Sequence, residues 1–166
     1  MGNRNYILTK DAAARKLHRM ALELAEQLNG DESPVVILGI RNSGMVIADK
    51  IAEHLKKYIA NKIQTASISL DKVSPKEVTV SETIDFTGLH VVIADDVTNS
   101  GRTLLFALKP LLDFHPRTIQ TLVLVERMHK IFPVKPDYVG LSVSTTLQDH
   151  IQVEVKDGEV EGAYIS

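Results

Sequence analysis

Two adjacent carboxylates at the end of an apolar run are the most chemically loaded residues of the chain. The stretch reads Val91-Val92-Ile93-Ala94-Asp95-Asp96-Val97-Thr98-Asn99-Ser100-Gly101-Arg102-Thr103. Leu89–Ala94 predicts a buried strand, and Thr98–Thr103 a loop of small hydrogen-bonding residues ahead of a helix. Backbone N–H groups in such a loop and in a first helical turn have no partner within the helix, so they can hold an anion. The hydroxyls of Thr98, Ser100 and Thr103 add donors, and Gly101 admits close approach of the backbone. Asp95 and Asp96 would repel a bare phosphate. They suit the vicinal hydroxyls of a sugar, or a hydrated magnesium ion. Either feature alone reads as a solvated strand end or a helix cap. In register they describe a pentose phosphate site, with the carboxylates on the hydroxyls and the loop on the phosphate.

The elements that must position these groups follow from hydrophobic spacing. Thr9 and Asp11 open a helix whose apolar residues Ala13, Leu17, Met20, Ala21, Leu24, Ala25 and Leu28 recur at three and four, until Asn29-Gly30 ends it. Val35–Ile40, after Pro34, is a continuous apolar run and predicts a second buried strand. Arg41-Asn42-Ser43-Gly44 reads as a polar turn, and Met45–Tyr58 as a second helix. Ile63–Leu70 alternates like a strand. Asp71–Ser81 reads as a mobile loop with a short hairpin through Glu77–Val80. A helix over Thr103–Phe114, ending near Pro116, and a third buried strand over Thr118–Val125 come next. Tyr138–Val143 and Ile151–Val155 are short strands, Gly158 sits in a turn, and Val160–Ile165 is expected as a final edge strand.

Strands alternating with helices predict an α/β fold: an open, mainly parallel twisted sheet with helices on both faces. Ligands of such sheets bind beyond the carboxyl ends of the strands. The turns at Arg41–Gly44 and Asp95–Thr103 therefore belong to one mouth.

Composition sets the outer limits. A chain of 166 residues with 44% hydrophobic and 24% charged residues fits one domain over residues 1–166. With no cysteine, a disulfide framework, a thiolate zinc site and a cysteine nucleophile are excluded. The formal charge of −2 gives no global pull toward nucleic acid. Met1–Lys10 lacks the apolar core of a signal peptide, and Asp95 and Asp96 interrupt the longest apolar candidate, Leu89–Val97. A cytoplasmic location without membrane contact is the expectation.

The acidic pair and its loop resemble the phosphoribosyl diphosphate (PRPP) signature of the type I phosphoribosyltransferases. That resemblance implies the family's sheet with a small hood, here a core over about residues 30–128 and a hood from the N-terminal segment and about 129–166. It also implies PRPP, a nucleobase and a nucleoside monophosphate as ligands, with Mg²⁺ held through PRPP and waters and no certain protein ligand. Carried over by position, Asp95 and Asp96 contact the ribose hydroxyls, and Thr98, Asn99, Ser100, Gly101, Arg102 and Thr103 bind the 5′-phosphate. Gly39-Ile40-Arg41-Asn42-Ser43-Gly44 resembles the family's diphosphate loop, so Ile40, Arg41, Asn42, Ser43 and Gly44 take that role. Asp95, Asp96 and Arg41 would then be catalytic. The family often has a non-proline cis peptide in this loop, expected here at Ile40–Arg41.

Glu126-Arg127-Met128-His129-Lys130, with Pro133, Lys135 and Asp137-Tyr138-Val139-Gly140, resembles the PyrR branch, pyrimidine-operon attenuators that also act as uracil phosphoribosyltransferases. The resemblance implies Lys135, Tyr138 and Val139 beside the base. The hypoxanthine-guanine branch also carries Lys-Pro-Asp-Phe/Tyr-Val-Gly. It usually has an Asp two residues before the loop glycine, where this chain has Asn99. A neutral amide cannot take a proton there, which favours a pyrimidine. The segment Asp71–Lys76 is shorter than the PyrR loop and lacks its Tyr and Arg, leaving Lys72 or Lys76 as substitutes. A nucleotide-sensing RNA-binding regulator with little catalysis is the alternative class, with Arg102, Lys109, Arg117, Arg127, Lys130 and Lys135 as its basic face. The family often dimerises, so a homodimer is a further expectation.

Overall fold

Runs of aliphatic residues with no polar interruption have to be covered on both sides, and the computed structural model shows how that is done. It describes residues 4–71, 73 and 77–166. Lys72 and Lys76 lie outside the described residues. Along the chain come β1 (Asn5–Thr9), α1 (Lys10–Gln27), β2 (Val35–Ile40), α2 (Arg41–Leu55), β3 (Ile63–Ser69), β4 (Thr79–Val80), β5 (His90–Thr98), α3 (Arg102–Ala107), β6 (Thr118–Arg127), β7 (Tyr138–Val143), β8 (Ile151–Lys156) and β9 (Glu159–Ile165).

Six strands form one sheet in the order β4-β3-β2-β5-β6-β7. All are parallel except β4, which pairs antiparallel with β3 at the edge. β2 is buried at every position because both faces are covered. Val35 and Ile37 pack with Leu17, Leu24, Ile47 and Ile51 of α1 and α2. Val36 and Leu38 pack with Leu104, Ala107 and Leu111 on the other face. The expected open α/β sheet with helices on both faces is thus the fold. From β2 the chain steps outward to β3 on one side, and from β5 through β6 to β7 on the other. The order reverses between β2 and β5, so the crevice beyond their carboxyl ends is the natural ligand site.

Several local expectations shift. The first helix runs as its spacing predicts, with Thr9 Oγ1 accepting from Ala12 N at 3.1 Å. The helix expected over Thr103–Phe114 is only α3, followed by a single 3₁₀ turn at Lys109–Leu111. Pro110 has no N–H to give the α-helical ladder, so the helix tightens and stops. β5 does not end before the acids but carries them within the strand. β9, expected at an edge, is the middle of a second sheet ordered β1-β9-β8. Asp157 and Gly158 turn the β8–β9 hairpin at φ 52° and 76°, the left-handed pair a tight two-residue turn requires. β1 closes the far side of β9, and its five mostly exposed residues gave no periodic signal. β7 lies at the edge of the main sheet, which therefore extends past residue 128. No described helix is long and apolar enough to cross a membrane.

At the amino end of the main sheet, Asp31 ties three segments together. Its Oδ1 accepts from Ser33 N at 2.9 Å, and its Oδ2 lies 2.5 Å from Arg117 Nε and 3.0 Å from His90 Nε2. Hydrogen bonds from Ser33, then the Arg117 guanidinium, hold this carboxyl well below the usual carboxylate range. Stability from a depressed carboxyl is complete above its unfolded pKa near 4 and is lost as pH falls toward the folded value. In urea melts, Asp31→Asn should therefore trail the wild type most near neutrality, the gap narrowing below about pH 4. A gap unchanged between about pH 7 and about pH 3 would assign the role to shape rather than charge.

Candidate active site

Parallel strands place the last residues of β2, β5 and β6 at one mouth, and the chain turns there in two ways. After β2 it enters α2 directly: the helix begins at Arg41, so the polar turn expected over Arg41–Gly44 is the first helical turn. The peptide bond expected to be cis at Ile40–Arg41 is trans. Arg41 instead sits at φ 53°, in the left-handed region, and this one residue redirects the chain from strand to helix. The redirection needs two glycines. A Cβ on Gly39 would stand 2.5 Å from Met45 Cα, and one on Gly44 would stand 2.9 Å from Ala94 O. The start of α2 is thereby pressed against β5 beside Asp95.

After β5, a loop leads into α3 around a cavity of about 190 Å³ lined by residues 97–103. Gly101 holds φ 89° at the helix entrance. Ser100 O accepts from Ile131 N and Phe132 N, both at 3.0 Å, which fixes the loop to the segment after β6. Ser100 Oγ accepts from Arg102 N at 3.3 Å. Thr98, Asn99, Ser100, Gly101, Arg102 and Thr103 are thus brought together around one space. The Arg102 side chain leans away from the loop. It donates to Val73 O at 3.0 Å and lies 5.4 Å from the Phe132 ring centroid.

The two acids are not equivalent. Asp95 is 1% exposed, and its Oδ1 accepts from Asp96 N at 2.9 Å. Asp96 is half-buried, and its Oδ1 accepts from Val97 N at 2.8 Å. Asp96 is the more exposed of the two, while Asp95 is packed against Gly44. Arg41 donates to Leu70 O and, with Asn42, Asp71, Glu77 and Thr79, lines a further recess of about 480 Å³.

A third recess, of about 460 Å³, opens after β6 between Glu126, Lys130, Phe132 and Lys135. Thr98 and Glu126 are register partners on β5 and β6, so this recess adjoins the loop cavity at a strand spacing of about 4.8 Å. Lys135, expected beside the base, lines this recess. Tyr138 is not brought to the mouth. It pairs with Leu122, four residues before the Glu126–Ser142 pair, which sets it about 13 Å deeper along β7. Its ring is buried, and its hydroxyl donates to Gln120 Oε1 at 2.9 Å. Burial pushes that phenol up to about 12. Val139 follows it, and its carbonyl accepts from Arg19 of α1 at 3.0 Å. An apolar strand start explains both residues without a ligand.

The six cations expected on one basic face do not all share one: Lys130 and Lys135 line a single recess, whereas Arg117 lies at the opposite end of β6. Arg117 and Arg127 bracket β6, about 30 Å apart along the strand. Arg127 is buried and donates to Thr146 O at 2.9 Å and Asp149 O at 2.5 Å. In the sequence Glu126 has a place in a motif but no role of its own. The available signal was a carboxylate directly after the apolar residues of a parallel strand, where strands point at ligands.

A family model described as phosphoribosyl transferase domain matches residues 5–157. The chain is 33% identical over 167 residues to the "Bifunctional protein PyrR" of Chloroflexus aurantiacus, covering 95% of this chain and 91% of that one. The protein of the same name from Clostridium perfringens is 32% identical over 166 residues, covering 94% and 92%. Among solved structures, the hypoxanthine phosphoribosyltransferase of Trypanosoma cruzi superposes with a TM-score of 0.81 at 14% identity, over 97% of this chain and 95% of that one. A hypoxanthine-guanine phosphoribosyltransferase from Bacillus anthracis gives 0.75 at 16% identity, over 96% of each. These two likenesses establish the fold.

Proposed function

This chain belongs to the phosphoribosyl transferase family, and from that premise we propose that it transfers ribose 5-phosphate from PRPP to a nucleobase, uracil before any purine. The observation that carries the reading is the continuity of β5. Its acid-bearing end runs without a break into the 190 Å³ cavity of residues 97–103, at the point where strand order reverses. An acceptor edge beside a backbone cradle fits a furanose at one end and its phosphate at the other.

In this reading the 98–103 loop holds the 5′-phosphate and Asp96 accepts hydrogen bonds from the ribose hydroxyls. Asp95, buried behind it, fixes the strand end. The start of α2, with Arg41, faces the diphosphate. The base ring nitrogen forms a bond to C1′ while the bond from C1′ to the diphosphate oxygen breaks, and the nitrogen's proton passes to solvent. The chain's contribution is positioning and stabilisation of the charges that develop. The half-open Asp96 also faces the positive charge that builds at C1′.

Magnesium fits this donor set as a partner of the diphosphate. Among the described residues no group of three or more His, Asp or Glu side chains gathers into a metal site. Magnesium keeps several waters and binds through one or two carboxylates plus substrate phosphates. Asp96 at the rim is the residue that would reach its water shell, and the ion would neutralise the leaving diphosphate.

The test is diphosphate release from PRPP and Mg²⁺ with uracil, hypoxanthine, guanine, xanthine and orotate in parallel. Uracil should give the highest kcat/KM, and chelation of the metal should stop release. Faster release with hypoxanthine or guanine would move the assignment to the purine branch. No release with any base would leave the family fold without this activity.

A further inference from the structure

Glu126 is a charged group in a place where charge is costly. Its side chain is 10% exposed, at the carboxyl end of β6. Oε1 accepts from Ser142 Oγ at 3.1 Å, whereas Oε2 is buried without a hydrogen-bond partner. The nearest cation to Oε2, Lys130 Nζ, lies 3.9 Å away and donates to Arg127 O at 2.5 Å instead. A buried carboxylate oxygen left without a donor is retained only with a compensating role. Glu126 forms part of the wall of the 460 Å³ recess, which also presents Lys130, Lys135 and the ring of Phe132. Through the Thr98–Glu126 register this recess stands beside the loop cavity.

We propose that Glu126 is a specificity-determining residue, whose Oε2 accepts the N–H of a base carrying an imide edge, an N–H between two carbonyl groups. The inference rests on the transfer to a nucleobase proposed above, and adds that this recess holds the base. Lys130 and Lys135 supply donors for the two flanking carbonyl oxygens, and Phe132 supplies an apolar wall. Uracil and xanthine present the sequence carbonyl, N–H, carbonyl. Cytosine presents a bare ring nitrogen where uracil has N3–H, and that lone pair would face the carboxylate. N3 is remote from N1, which bonds to the sugar, so N3 can be altered without removing the reacting atom. Lys130 lies below the ordinary lysine range because of its burial, while Glu126 opposes that shift.

The experiment is calorimetric binding of uridine, 3-methyluridine and cytidine monophosphates, and separately of PRPP, to the wild type, Glu126→Gln and Glu126→Ala. The wild type should bind uridine monophosphate on the order of 10²-fold more tightly than the 3-methyl or cytidine forms. Glu126→Gln keeps an acceptor for Ser142 and turns an N–H toward the recess, so it should move the preference toward cytidine monophosphate. Glu126→Ala makes room for the methyl group and should bring uridine and 3-methyluridine monophosphates to within about tenfold of one another. PRPP affinity should be unchanged in both variants. Equal wild-type affinity for uridine and 3-methyluridine monophosphates would overturn the inference, even where a variant melts too early to assay. So would unaltered discrimination in folded variants, or PRPP binding with no nucleotide binding. Failure of the wild type to bind PRPP, with discrimination at Glu126 intact, would strike the proposed reaction and leave this inference standing.

Discussion

Asp96→Asn is expected to lower PRPP-dependent nucleotide formation on the order of 10²-fold or more, with little change in folding stability. A carboxylate accepting from sugar hydroxyls makes charge-assisted bonds of about 1.5–3 kcal/mol each, and two such bonds convert to that loss. Because Asp96 is only half-buried, an amide of the same shape can take its place without a packing fault. Asp95→Asn should behave differently. Its carboxylate is 1% exposed and lies against the start of α2, so the substitution should lower both the urea midpoint and the activity. The double variant should form no product from PRPP. Diphosphate release and urea melts on the three variants separate the roles. Undiminished uridine monophosphate formation by the double variant would contradict the sugar assignment, and equal midpoints for the two single variants would contradict the difference between the acids.

Gly39→Ala is expected to cost about 3 kcal/mol, a fall in Tm of about 10 °C for a chain of this length. The added methyl would stand 2.5 Å from Met45 Cα and 2.7 Å from Gly44 O. Both obstacles are backbone, so no side chain can swing aside. Relief requires α2 to lift off β2, and α2 holds the Arg41–Gly44 turn against Asp95. PRPP affinity should therefore fall along with stability. Thermal melts and PRPP calorimetry on the same preparation would show it. A variant that melts like the wild type would mean that strand and helix are not in the close contact described here.

Much of the fold was legible because it rests on periodicity. The all-buried run Val35–Ile40 and the three-and-four spacing of Leu17, Met20 and Leu24 are local properties, and they specified strand and helix before any contact was known. The loop that lines the cavity of residues 97–103 was legible for the same reason, since its residues are consecutive in the chain. Where the reading failed, local pattern competed with something remote. Asn5–Thr9 is a short segment without clear alternation and becomes β1 where β9 offers it an edge. Thr103–Phe114 has helical spacing, yet Pro110 cuts the ladder. Tyr138 and Lys135 are near neighbours in sequence, but the start of β7 carries one into the core and leaves the other at the recess.

By itself the sequence determined the α/β architecture and the paired acids with their adjoining loop of small hydrogen-bonding residues, because hydrophobic period and consecutive donors are encoded residue by residue. Only the tertiary structure decided which acid is buried, that Arg41 turns the chain into α2 through a left-handed backbone, and that Glu126 rather than Tyr138 stands beside the cavity of residues 97–103. Those outcomes depend on strand register and on the approach of α2 to β5, distances between segments that are far apart along the chain.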